Sequence, residues 1–499
     1  MKKKFYITTA IDYVNGNPHI GHAFEKTQAD VLARYHRSLG DDVFFLTGTD
    51  EHGVKNFRSA QEAGLSPKEF VDLNSKKFKK LALVLNISND YFVRTTDKKV
   101  HWPGAIKMWQ ALESAGDIYK KQYRGSYCVG HEAFITKKDL VDGKCALHKK
   151  EPEVIEEENY FFRLSKYTKK IEKVIKSGKF KIIPNSSLNE LLRLLEQGLE
   201  DVSFSRPSKD LSWGVPVPSD KKHTMYVWCD ALVNYLSAIG YGAPISYKLQ
   251  AKSFKKYWPA DVQVIGKDIL RFHAAIWPGM LLSAGLALPK ILFVHGFISV
   301  GGEKMSKSLG NVVDPFALIE KYGADAVRYY LLREIPSIHD GDFTHEKFEE
   351  RYRSDLAKGL GNFTARVVSL GARHIKGSFA SYQSARTKKT ILEAEKKYHK
   401  AMGDFRFDEA LQAVWELIAY GDKFVDSTRL WELPGKDPKK FASHIAELCA
   451  LLANIAFLLS PFLPVTSRAI AKQLGIKDVA QNPRAFKLKK GNPLFPMVQ

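Results

Sequence analysis

Cysteine is scarce in this sequence, with four in 499 residues. That is too few for a disulfide-built scaffold, and a reducing, cytoplasmic setting is the expectation. No run of about 18 apolar residues occurs, so no membrane span is expected. The first residues, Met1-Lys2-Lys3-Lys4-Phe5-Tyr6-Ile7, open like a signal peptide, but Asp12, Asn15 and Asn17 interrupt the apolar stretch and argue against one. There is no internal repeat, long low-complexity tract or long linker. Acid is also in short supply: 55 Asp and Glu stand against 76 Lys and Arg, a formal net charge of +21. Such a surface attracts polyphosphate chains. The cations are dispersed (Lys76-Lys77-Phe78-Lys79-Lys80, Lys169-Lys170, Lys255-Lys256, Lys388-Lys389, Lys489-Lys490). Dispersal suits a long ligand touching several domains, and equally suits solvated helix faces.

At about 100–150 residues per domain, the length predicts three or four structural units. Phe5–Ala10 reads as a strand, Asn15-Gly16-Asn17-Pro18 as a turn, and Ile20 onward as a helix stopped at Gly40. Val43–Leu46 reads as a buried parallel strand, the opening of a doubly wound nucleotide fold. Residues 119–224 change character and read as an insertion, after which strand-like Thr224–Trp228 and Val262–Ile265 resume. Beyond Met305 the apolar spacing is helical, most clearly at Glu409–Lys423 and Ile445–Leu459. The predicted fold is α/β: a Rossmann-like parallel-sheet catalytic domain with an inserted connective domain, followed by an α-helical bundle. The expected boundaries are 1–118 and 225–300 for the two halves of the catalytic domain and 119–224 for the insertion. Residues 301–350, which the resemblance named below implies are a loop and stem-contact region, and a bundle over 351–499 complete the chain.

Chemistry concentrates in a few segments. His19 and His22 are three apart at a strand-to-helix turn, where free N–H groups and the helix dipole favour phosphate. Gly21 between them permits close backbone approach. Lys304 and Lys307 lie in the glycine-flanked segment Lys304-Met305-Ser306-Lys307-Ser308, able to close over a leaving pyrophosphate. Asp50 in Thr47–Gly53 is placed to hold an ammonium group, and Asp268 in Gly266-Lys267-Asp268-Ile269 to bond a ribose. Cys128-x2-His131 and Cys145-x2-His148 offer two thiolates and two imidazoles, a donor set for a structural tetrahedral Zn²⁺. Each of these also has an ordinary structural reading: capping and packing histidines, an exposed basic loop, a turn cap, a metal-free remnant.

Taken together, Pro18-His19-Ile20-Gly21-His22 and Lys304–Ser308 resemble the HIGH and KMSKS signatures of class I aminoacyl-tRNA synthetases. Tyr13–His22, Thr47–Gly53, Tyr226–Ala231, Val264–His273 and Glu303–Asn311 resemble the methionyl-tRNA synthetase family in particular, and the likeness runs over essentially the whole chain. The resemblance implies a methionine pocket at Ala10, Ile11, Tyr13, Asp50, Trp228, Ala231, Leu232, Tyr235, Ile269 and His273. Position 232 is proline in some relatives. For ATP with Mg²⁺ it implies Gly21, Glu25, Gly266, Asp268, His295, Gly296, Ile298 and Lys307, with His19, His22, Lys304 and Lys307 catalytic. Arg206 and Trp213 match a stretch that packs toward the active site. Asn362, Arg366 and Trp431 match anticodon-reading positions, Trp431 as a stacking platform. The implied substrates are L-methionine and the initiator and elongator tRNA(Met). Where relatives carry a single zinc knuckle, Cys usually stands at the place of His131. Nothing after Leu488 resembles the appended dimerising domain of some relatives, so a monomer is expected.

An insertion of about a hundred residues has the size of a small domain, which argues against the editing synthetases for leucine, isoleucine and valine. The readings left open are a small adenylate-forming nucleotidyltransferase, a non-catalytic RNA-binding relative, and the cysteine enzyme.

Overall fold

The computed structural model describes all residues except 1, 130–132, 136–139, 147–148, 244–250, 306–310, 480–482 and 498–499. The chain divides into two compact units. One comprises Met1–Pro18, Leu39–Ala82 and Ser88–His295, the other His19–Ser38, Leu83–Ile87 and Gly296–Gln499.

The first unit is built on a seven-stranded sheet in which every pairing is parallel. Strand Lys4–Thr9 lies between Val262–Gly266 and Asp42–Asp50. Beyond Val262–Gly266 come Ile291–His295 and then Lys181–Ile183. Asp12–Tyr13 and Tyr91–Arg94 both pair with Asp42–Asp50. The central strands are buried on both faces, as covered parallel sheets require, and read as runs such as Phe5-Tyr6-Ile7 and Val262–Ile265. Trp109, Trp277 and Tyr235 fill the space beside them, and the Tyr6 hydroxyl donates to the Tyr235 carbonyl at 2.7 Å. Burying each such ring contributes on the order of 1.5–3 kcal/mol.

Two expectations fail here. The 119–224 segment is not one excursion from the sheet: after the long antiparallel pair Ile118–Cys128 and Glu153–Phe162, strand Lys181–Ile183 returns to the sheet edge beside Ile291–His295. Thr224–Trp228 does not resume the sheet either. Asp220–Met225 pairs antiparallel with Ser205–Pro207 and Pro216–Val217 in a small separate sheet, and Val227–Ala231 is already helical.

The second unit holds helix Ile20–Ser38 together with the C-terminal helices. The first helix ends where predicted, with Gly40 at φ +85°. It is unusually polar on its buried face, where Lys26, Thr27, Gln28 and Asp30 are all inaccessible. Asp30 pairs with Arg34 and with fully buried Arg328, both at 2.7 Å. The Arg328 guanidinium also donates to the carbonyls of Leu85, Pro461 and Phe462. The full set of partners offsets the desolvation of this charge; removing one side of such a pair typically costs about 3–5 kcal/mol.

Helix His345–Arg351 continues through a π-helical stretch, Tyr352–Gly361, into Asn362–His374, so no break occurs at the expected 350/351 boundary. Ala385–Gly403, Phe407–Ser427, Pro438–Leu459 and Pro464–Leu474 complete the bundle. Pro438–Leu459 is long and apolar enough to cross a membrane, but 78% of its apolar window is buried inside the protein, as befits a core helix.

Candidate active site and nucleotide motifs

In the first unit, Ala10, Ile11, Tyr13, Asp50, Trp228, Ala231, Leu232, Tyr235, Ile269 and His273 line one pocket. Every residue expected there by resemblance is present. The pocket also includes Asn234, which sequence reading missed although it lies one residue before Tyr235. The enclosed space is small, about 30 Å³. Trp228 stacks on Phe272 with ring centroids 3.8 Å apart and meets the His273 ring edge-on at 6.1 Å.

At the polar end, Asp50 is 2% exposed and its Oδ1 has no hydrogen-bond partner. Burial, and then the neighbouring Asp230 carboxylate, push its pKa well above the usual range, against the His52 backbone N–H and the Thr95 hydroxyl. Asp230 itself is clasped by His52 Nδ1 at 2.5 Å and His101 Nε2 at 2.7 Å. Burial opposes its ionisation, but the two imidazoles hold it down at about 2. Trp213 Nε1 donates to the Glu51 carbonyl at 2.6 Å and its ring lies against His52, so this expected residue braces the Asp50 loop. Arg206 pairs with Glu157 at 2.8 Å and lies over the Tyr127 ring.

At the other end, His273 Nδ1 meets the Ile269 carbonyl at 3.1 Å and Nε2 meets the Tyr235 hydroxyl at 2.8 Å. A carbonyl only accepts, so the ring proton is on Nδ1 and the Tyr235 hydroxyl donates to Nε2. Burial lowers the His273 pKa to about 4, keeping the ring neutral. This end is therefore uncharged and aromatic, suited to a polarizable apolar group.

In the second unit, the two sequence motifs meet. The Met305 methyl lies 3.8 Å from where a Cβ on Gly21 would stand, and Ile20 N–H donates to the Val313 carbonyl at 3.2 Å. Gly21 leaves room for the His19 ring, 3.0 Å from that Cβ position. His19 Nδ1 accepts the Gly21 N–H at 3.1 Å, and His22 Nδ1 accepts the His19 N–H at 3.0 Å. With both Nδ1 atoms accepting, each neutral ring carries its proton on Nε2. Burial, with Lys26 nearby, lowers the His22 pKa to about 3. Glu303–Lys304 pairs as a strand with Ile298–Val300; the Lys304 side chain and Lys307 lie outside the described residues.

The family described as tRNA synthetases class I (M) matches residues 5–140 and 134–368. The chain belongs to the class I methionyl-tRNA synthetase family. It is 42% identical over 486 residues to the methionine–tRNA ligase of Thermotoga maritima, covering 95% of this chain and 76% of that one. With the Brucella suis methionine–tRNA ligase the identity is 41% over 513 residues, 99% of this chain and 98% of the relative. The Mycobacterium tuberculosis methionyl-tRNA synthetase in complex with methionyl-adenylate superposes with a TM-score of 0.93 at 37% identity, over 99% of this chain and all of that one.

The remaining expected residues of this synthetase lie as follows. Gly266, Asp268 and His295 cluster at the ends of two adjacent strands of the first unit, a Cβ on Gly266 falling 2.7 Å from Asp268 Oδ1 and 3.6 Å from the His295 ring. Glu25, Gly296 and Ile298 belong to the second unit. There Asn362 is exposed, Arg366 pairs with Asp422 at 3.2 Å and with Asp426, and Trp431 is 51% exposed. Cys128 and Cys145 are buried in one small cluster with Ile135 and Leu140 and are not disulfide-bonded; His131 and His148 lie outside the described residues.

Proposed function

We infer that this chain is a methionine–tRNA ligase. It activates L-methionine with ATP to methionyl-adenylate, releasing pyrophosphate, and transfers the methionyl group to the 3′-terminal adenosine of tRNA(Met), releasing AMP. The observation that carries the specificity is the pocket with a buried, unpartnered carboxylate oxygen on Asp50 at one end and the neutral Tyr235–His273 pair at the other. Asp50 binds the α-ammonium by a charge-assisted bond. The thioether packs among Ala10, Ile11, Tyr13, Trp228, Ala231, Leu232, Ile269 and the His273 ring, which presents no charge that would favour a polar competitor.

In activation, a methionine carboxylate oxygen attacks the α-phosphorus and the bond to pyrophosphate breaks. The Nε2–H groups of His19 and His22 stabilise the charge spreading over the α-phosphate oxygens, acting as neutral donors. Lys304 and Lys307 neutralise the departing pyrophosphate, and Mg²⁺ bound with the nucleotide supplies further charge neutralisation. Gly21, Glu25, Gly266, Asp268, His295, Gly296 and Ile298 hold ATP, with Asp268 on the ribose.

Asn362, Arg366 and Trp431 read the anticodon of initiator and elongator tRNA(Met), with Trp431 stacking on a splayed base. Base–aromatic stacking of this kind is worth about 1–3 kcal/mol. Trp431→Ala is therefore expected to lower kcat/KM for tRNA charging roughly 5- to 150-fold while leaving tRNA-independent pyrophosphate exchange unchanged. Equal loss in both assays would sink the assignment.

The insertion holds one structural Zn²⁺ through Cys128, His131, Cys145 and His148. The two described ligands fit: both thiols are buried in the same small cluster and neither is consumed in a disulfide. Elemental analysis of the purified protein should give one zinc per chain, and Cys145→Ser should abolish it. Absence of zinc from protein prepared without chelator would make the knuckle a metal-free remnant. The reading is completed by a cytoplasmic monomer without membrane attachment.

A further inference from the structure

The two residues that follow Asp50 are both tied down by charged partners. Fully buried Glu51 accepts from the Arg94 guanidinium at 2.6 and 2.9 Å. The buried His52 ring is fixed through Nδ1 by Asp230 at 2.5 Å. His52 does not itself line the methionine pocket, but its backbone reaches the pocket twice. Its N–H bonds the Asp50 carboxylate, and its carbonyl accepts the Tyr13 hydroxyl at 3.0 Å. Asp50 and Tyr13 are both pocket residues.

Asp230 belongs to the facing wall. It lies in helix Val227–Ala231, between Trp228 and Ala231, which line the pocket. Its other oxygen meets His101 Nε2 at 2.7 Å. His101 Nδ1 in turn meets the Ser237 hydroxyl at 2.9 Å, on the short helix Asn234–Ser237 that carries Tyr235. An ionised carboxylate only accepts, so both imidazoles donate to it. One carboxylate therefore joins the wall of Asp50 and Tyr13 to the wall of Trp228 and Tyr235. The joint is dry: the side chains of His52, His101 and Asp230 are 3%, 0% and 1% exposed.

A second carboxylate here works against the site, because Asp230 opposes ionisation of Asp50. Packing alone does not call for it, since replacing buried ionic groups by apolar side chains of similar volume is often neutral or stabilising. What apolar side chains do not supply is direction. Hydrogen bonds fix the orientation of the His52 ring, and with it the backbone on which Asp50 and Tyr13 depend.

We propose that His52, held by Asp230 and through it by His101, is a positioning residue for the amino acid: its anchored ring aims Asp50 at the α-ammonium and sets Tyr13 in the pocket wall. The inference rests on the methionine reading above. His52 touches neither substrate and acts through Asp50 and Tyr13.

The test is methionine-dependent pyrophosphate exchange by the full-length enzyme, with methionine and ATP varied separately. The ammonium is held alike before and during activation, so loss of its alignment raises KM and spares kcat. His52→Ala should raise the methionine KM roughly tenfold to a hundredfold, the scale expected for a group misplaced by about 1 Å. Its kcat at saturating methionine and its KM for ATP should stay within about threefold of wild type, which also reports on folding. His52→Asn, which keeps an N–H donor at the Nδ1 position, should bring the methionine KM back to within about threefold of wild type. In an Asp50→Asn background His52→Ala should cost little more, because most of its effect runs through that carboxylate. His101→Ala removes the other half of the clasp and should show the same split; it decides the matter if His52→Ala does not fold. An unchanged methionine KM would overturn the proposal. So would equal losses in kcat and both KM values, an Asn variant no better than Ala, or fully additive losses with Asp50→Asn. Absence of exchange in the wild type is a different failure and would strike the reaction assignment itself.

Discussion

Replacing Asp50 with Asn should weaken methionine binding by about a hundredfold to a few thousandfold. The variant leaves the α-ammonium of bound methionine buried without its charged partner, and breaking one side of a buried pair costs about 3–5 kcal/mol, at about 1.4 kcal/mol per factor of ten. Stability should move the other way. Burial and Asp230 raise the folded-state pKa of Asp50 above its unfolded value. The unfolded chain therefore loses this proton first as pH rises, so Asp50 erodes stability above the ordinary carboxylate range, and Asn removes that cost. The same shift makes methionine affinity fall as pH drops through the raised Asp50 pKa, because the ammonium needs the ionised form. Asp50→Asn should lack that limb. Equilibrium methionine titrations at several pH values, with denaturant midpoints alongside, check all three. A variant that binds methionine within twofold of wild type would remove Asp50 from the site.

His22→Ala should lower the rate of methionine activation about 10²- to 10³-fold, the usual loss for one preorganised donor on a developing oxyanion, with methionine affinity nearly unchanged. The pH dependence distinguishes a neutral donor from a cation. His22 is held at about 3 by burial and the Lys26 ammonium, so it stays neutral from weakly acidic pH upward. The proton that matters is on Nε2, since Nδ1 accepts the His19 N–H. The pyrophosphate-exchange rate should therefore show no decline assignable to His22 as pH rises through 6.5. A limb near that value, present in wild type and absent in His22→Ala, would mean that the imidazolium is the active form.

The site was more legible in the sequence than the architecture around it. The strand–turn–helix at Phe5–Ser38 declares itself through β-rich residues, turn residues and helical spacing, and the pocket residues Tyr13, Asp50, Trp228, Ala231, Ile269 and His273 fall within segments that resemble the family. Lys181–Ile183 was unreadable as a sheet strand because three residues carry no usable period. Thr224–Trp228 misled because a short apolar run does not distinguish a strand end from a helix start, and here it contains both. The grouping of helix Ile20–Ser38 with the C-terminal helices was invisible for another reason. It depends on a buried contact between Asp30 and Arg328, distant in sequence, that no local pattern encodes. Asn234 and the His52–Asp230–His101 clasp were missed because they act by position, without a motif of their own.

The most direct test of the account is ATP–pyrophosphate exchange with each of the twenty amino acids, without tRNA. The account predicts exchange with methionine and background rates with the others, because the Asp50 and Tyr235–His273 ends together select an ammonium group and an uncharged, polarizable side chain. Exchange driven by a different amino acid, with methionine silent, would contradict it.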